Sequence, residues 1–307
     1  MTPLLRDGPP GCAAVRAFSK DRTFTKEMLM PSRALMPPPR SGHVVRAVVM
    51  TVTVEMAESW LENNTHNRHM RPRHVDALVR DILADSWQLN GEAIKIASNG
   101  QVLDGQHRLA AVVQSGKSIT TLVVTGLPPD TQGSMDSGVK RTTGDVFELD
   151  GIPNSTLVAA IVTKKWKWDR GDYRFHSSER PTKPESRRIL KEFPGILESA
   201  HEVSSLRPAT KGMLQPSIAG LAHYLFTDID AGDAVWFFGR LNDGAELKSD
   251  HPILTLRDRL FSEAEKLGSS PSHQNMELLI RGWNAFREGR PLGKIYCFPN
   301  KAMPMPV

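Results

Sequence analysis

The apolar positions of this chain change their rhythm once. Up to about residue 125, short β-branched runs alternate with helical spacing, and from Thr143 onward only helical spacing remains. Val48-Val49-Met50-Thr51-Val52-Thr53-Val54 predicts a strand. Thr53 or Glu55 then leads into a short helix over 57–63, and Arg71-Pro72 opens a longer one to about Asp85. Val75, Leu78, Val79 and Ile82 share one face of that helix, and Trp87 and Leu89 close it against the core. Ala93-Ile94-Lys95-Ile96-Ala97 alternates as a strand, Asn99-Gly100 supplies a hairpin turn, and Val102-Leu103 returns as the second strand. Asp104 is placed to cap the next helix, and Gly105 permits the close turn. Leu109, Ala110, Val112 and Val113 give that helix its apolar side, and Gly116 ends it. The run 119–125 predicts a last strand, stopped by Leu127-Pro128-Pro129. This order predicts a small α+β domain with a mixed sheet over residues 46–150.

The remainder reads as an all-helical domain over 151–292. Helices are expected at 146–149, 157–168, 185–193, 196–203, 217–226, 231–241, 254–267 and 275–287, with Asp243-Gly244 and Gly268-Ser269-Ser270-Pro271 among the punctuation. The tail, 293–307, is rich in Pro and Met and is expected to fray. Residues 1–45 are rich in Pro and Arg, lack periodicity, and are expected to form a disordered arm.

Charge alters this picture in one respect. The net charge is +5, but residues 1–50 hold eight Lys/Arg against three Asp/Glu, so the rest of the chain is neutral. A general nucleic-acid-binding body is therefore not indicated, although the arm is a candidate for touching DNA phosphates. One stretch stands apart: residues 140–191 hold twelve Lys/Arg against seven Asp/Glu. There Lys164, Lys165, Lys167 and Arg170 interleave with Trp166 and Trp168, which could track phosphates with aromatic stacking. The alternative is tryptophans in the core and lysines in solvent. With 39% hydrophobic residues and no apolar run near 18 residues, a globular protein without a membrane span is expected. Its two cysteines, Cys12 and Cys297, are far apart and argue for a reducing, cytoplasmic setting. No metal site is expected from the scattered histidines.

The candidate chemistry centres on Asp104-Gly105-Gln106-His107-Arg108. A helix N-terminus reached through glycine is a ready anion site. Gly105, Gln106, His107 and Arg108 would hold a phosphate, with Arg108 as a two-pronged donor and His107 giving pH dependence if it donates as imidazolium. Asn67 and Arg68 form a second polar cluster that could meet the same anion. Glu92 and Asp104 are candidate base or magnesium-facing carboxylates. A third cluster is Asp136-Ser137-Gly138 with Lys140-Arg141. Each of these also has a plain reading, as a capped turn or a solvated surface.

The Leu103–Ala111 segment resembles the D-G-Q-H-R box of proteins with the ParB/sulfiredoxin-like fold. The likeness extends to Asn63-Asn64-Thr65-His66-Asn67-Arg68, Gly91-Glu92-Ala93-Ile94, Met135-Asp136-Ser137-Gly138 and Arg141-Thr142, a pattern common in actinobacteria and their phages. The resemblance implies a ParB-like, nucleotide- and/or DNA-binding protein of DNA metabolism, and an oligomer is open to it. It also leaves open a metal-dependent nuclease, DNA-modification or phosphotransfer enzyme using His107, Asp104 and Glu92, or a non-catalytic regulator. A nucleoside triphosphate with magnesium is the cofactor it suggests. The box holds no cysteine, so sulfinic-acid reduction is not expected. The chain also lacks a helix-turn-helix of the spacing that partition proteins use to bind centromeres.

Overall fold

The computed structural model describes residues 44–65, 67, 69–135, 141–210, 214–267, 271–298 and 301–307. The expected arm (apart from residues 44 and 45), Arg68 and the Asp136–Lys140 cluster lie outside them. From residue 44 onward the chain forms one compact unit, an α+β assembly with a four-stranded sheet.

Four strands, β1 (Arg46–Val52), β2 (Ala93–Ala97), β3 (Val102–Asp104) and β4 (Ile119–Leu127), pair in the order β1-β4-β2-β3. β1–β4 and β2–β3 are antiparallel, while β2–β4 is parallel, so the sheet is mixed, as the order of elements predicts. Thr53 caps α1 (Val54–Glu62) by accepting the Met56 N–H at 3.3 Å, which starts that helix three residues earlier than expected. Helix α2 (Pro72–Leu83) begins at its proline, and α3 (Gln106–Ser115) ends at Gly116 in the left-handed region, φ 65°. Val52, Val75, Val79, Ile82, Ile94, Val102, Leu109, Val112 and Val123 form one buried cluster between these helices and the sheet.

This α/β core stops with β4 and the 3-10 turn Pro129–Ser134. Phe147 of α4 (Thr143–Leu149) is instead buried with Val158, Ile161 and Val162 of α5 (Ser155–Asp169), so α4 packs with the helical part rather than with residues 46–142. Helices α6 (Lys183–Glu192), α7 (Gly195–Thr210), α8 (Pro216–Ile229), α9 (Ala231–Asp243), α10 (Pro252–Leu267) and α11 (Ser272–Arg287) complete the unit. Their core is aromatic: Phe226 stacks on Trp283 with ring centroids 4.4 Å apart. The C-terminal segment departs from expectation. Trp283 Nε1 donates to the Val307 backbone oxygen at 2.8 Å, and Asn284 Nδ2 donates to the Met305 carbonyl at 2.8 Å, so residues 301–307 dock on α11 rather than fray. No helix among the described residues is long and apolar enough to cross a membrane.

Candidate functional site

The β3–α3 turn is built around Gly105. Its φ of 98° belongs to the left-handed region, and a Cβ there would lie 3.0 Å from Ile94 Cγ1 and 3.2 Å from Ile94 Cα. Glycine is therefore required twice, for conformation and for close packing on β2. Gly105, not Asp104, is the residue that opens α3. The Asp104 carboxylate instead accepts the Gly105 N–H at 2.6 Å and faces Lys95 Nζ at 3.3 Å and Arg108 Nη2 at 3.4 Å.

Most of the box turns inward. Gln106 and His107 are only 4% and 6% exposed. Gln106 Oε1 accepts from Asn64 Nδ2 at 3.0 Å, and Asn67 Nδ2 donates to Asn64 Oδ1 and, at 2.6 Å, to the Val102 carbonyl. Gln132 Nε2 then donates to Asn67 Oδ1 at 2.7 Å and to the Leu103 carbonyl at 3.2 Å. These four amides lock the loop after α1, the strand β3 and the 3-10 turn together, and they place Asn67 in the scaffold rather than at a ligand. His107 Nε2 accepts the Arg71 N–H at 3.1 Å, so that nitrogen carries no proton. Nε2 of His107 is thereby engaged with the backbone of the α2 entry rather than turned to an anion. The ring instead fixes the entry to α2 and meets His74 edge-on at 4.9 Å.

Arg108 keeps a different balance. Its Nη2 donates to the Ala93 carbonyl at 2.8 Å and faces Asp104, while its buried Nη1 has no hydrogen-bond partner. Lys95 completes this corner, 29% exposed on its side chain. Reading by turns and caps passes over Lys95. Its signal is a lone lysine inside the apolar strand Ala93–Ala97, in register with Asp104. The corner thus joins two cations, one carboxylate and one unspent guanidinium nitrogen. Glu92 is exposed at the entry to β2, and its backbone carbonyl accepts from Thr121 at 3.4 Å. Asp104 does not fit a magnesium ligand, because each of its oxygens already faces an internal N–H or ammonium group. Among the described residues no group of three or more His, Cys, Asp or Glu could hold a metal.

The basic stretch on α5 is placed quite otherwise than a phosphate track requires. Lys165 and Lys167 are each 7% exposed. Lys165 Nζ binds both Asp169 oxygens at 2.7 Å and lies 3.9 Å from the Phe193 ring centroid. Lys167 Nζ donates to the carbonyls of Phe175 and Ser177. Lys164 Nζ donates to Ser272 Oγ at 3.0 Å, and burial draws its pKa down to about 8, with Lys167 adding to the effect. Arg170 stacks on Trp166 at 3.8 Å. The three lysines serve as internal struts rather than as a solvated face, while Arg170 stays exposed beside Trp166.

These two regions share no side chain, so the sequence-derived candidates do not converge on one pocket. No family model, no curated protein and no solved structure matches the chain.

Proposed function

We propose that the chain binds a phosphate-bearing ligand, a nucleotide or DNA, at the corner formed by Lys95, Asp104 and Arg108, as the resemblance to ParB-like proteins implies. The observation that carries this reading is Arg108 Nη1. Buried polar groups are almost always paired, and of the six buried side-chain polar atoms without a partner among the described residues, it alone carries two N–H donors. Nη2 is anchored on the Ala93 carbonyl, which already orders the guanidinium and lowers the cost of holding it at a ligand. Lys95 adds a second positive charge that leaves the corner one charge in excess over Asp104. A phosphate oxygen bound at Nη1 would supply the missing partner there, which is a favourable exchange.

Calorimetric titration with nucleoside triphosphates, with and without magnesium, and with short duplex DNA tests this. Arg108→Ala should weaken binding about ten- to a hundredfold, the effect of one charge-assisted contact. Arg108→Lys, which keeps the charge and loses the fork, should fall between. Equal affinity for the three proteins would leave Arg108 as a strut between β2 and α3.

A further inference from the structure

A second group of cations lies one layer outside the box. Along α2, Arg73, Ala77 and Arg80 follow the helical repeat on the side opposite the buried Val75, Val79 and Ile82. That side faces the segment 178–180 across a cleft of about 220 Å3, to which Arg180 and Ser178 contribute. The volume equals about seven waters, enough for one phosphoryl group with a short organic remainder.

The walls are fixed from within. Arg80 Nη2 donates to the Arg180 carbonyl at 3.2 Å and its Nε pairs with Glu185 at 3.0 Å. Lys167 holds the Ser177 carbonyl, and Asp172 accepts the Ser177 N–H at 3.0 Å. On the α2 wall, His107 receives the Arg71 N–H. Against this rigid frame, the side chains of Arg73 and Arg180 have no carboxylate partner among the described residues. Asp76 and Glu179 also line the cleft, but Asp76 is engaged by Gln114 Nε2 at 3.2 Å and Glu179 is exposed.

We propose that this cleft binds the phosphate group of a small phosphate monoester, clasped between Arg73 and Arg180 with the Ser178 hydroxyl. Two guanidinium groups, one on each wall of the cleft, can together serve the several oxygens of a terminal phosphate. A long polyanion fits less well: the acidic groups interrupt the cationic face, and the chain after residue 50 carries no net charge. The site is independent of the Arg108 corner and stands or falls separately.

The test is calorimetric titration of the full chain with inorganic phosphate and with glycerol 3-phosphate at constant ionic strength, with chloride as control. Arg73→Ala and Arg180→Ala remove exposed side chains without internal partners, so the thermal midpoint should hold in both. Each should weaken phosphate binding about tenfold, and the double variant should lose one phosphate site. A double variant that binds phosphate with unchanged affinity and stoichiometry would overturn the proposal, as would a wild-type chain that takes up no phosphate by about 10 mM. Failure of the Arg108 reading shows elsewhere, as unchanged nucleotide affinity in Arg108→Ala.

Discussion

The β3–α3 turn and α5 both draw cations into the interior, and they do so to different ends. On α5 each ammonium finds an internal partner: Lys165 takes Asp169, Lys167 takes two carbonyls, and Lys164 takes Ser272. At the turn, Arg108 anchors one nitrogen on Ala93 and leaves the other unpaired. A buried cation whose charged nitrogen has found a protein partner is part of the frame. One with a whole nitrogen left over is where a ligand repays the unmet bond. Charge in the sequence does not separate the two cases. What separates them is the count of partners that folding brings to each nitrogen.

The sharpest break of this comparison falls on Gly105, since the spare Arg108 donor depends on the turn that carries it. Gly105→Ala should cost about 2–4 kcal/mol, from the left-handed φ together with contact on Ile94. Gly100 supplies the contrast: its φ is 87°, but a Cβ there would meet nothing within 4 Å. Gly100→Ala should therefore cost only about 1–2 kcal/mol. Urea unfolding at constant m separates the two. Equal costs would mean that Gly105 is not pressed on β2.

The mixed sheet was legible because β-branched runs, a hairpin turn and a helix-ending glycine are local signals. Gly116 caps α3 as its position predicts. The site was less legible because its bonds span long sequence separations. Asn67 and Gln132 meet although 65 residues apart, and nothing local to either residue marks the other. On α5 there was a signal: residues 157–162 are apolar without interruption. A helix with no polar side is buried all round, so lysines that follow in the same helix have little solvent face to occupy. Docking of the tail depends on Trp283 and Asn284, some 20 residues upstream, and a Pro- and Met-rich composition carries no trace of that surface.

Lys167 sharpens the contrast from the other side. Lys167→Met keeps most of the aliphatic stem and removes the ammonium that serves Phe175 and Ser177. It should destabilise by roughly 1.5–3 kcal/mol, because two carbonyls lose a charged donor. DNA affinity should not change. The opposite pattern, intact stability with weakened and less salt-dependent DNA binding, would show the lysine directed to solvent after all.

The smallest effect is the pH dependence contributed by Lys164, and its sign discriminates between a strut and a solvated lysine. Burial, reinforced by Lys167, lowers its pKa from 10.5 to about 8. Between those two values the unfolded chain holds more protons on this residue than the folded chain does. The stability of the folded state therefore rises with pH across that window through this group, and below about pH 8 it bears the cost of keeping the ammonium half-buried. Lys164→Met removes the titration. The wild-type stability relative to this variant should climb between about pH 8 and 10.5, by no more than roughly 1 kcal/mol, since solvent still reaches the group and screens it. Denaturant unfolding at three pH values measures the difference directly. A flat difference would place Lys164 in water, and it would remove one of the three struts on which the contrast between α5 and the turn rests.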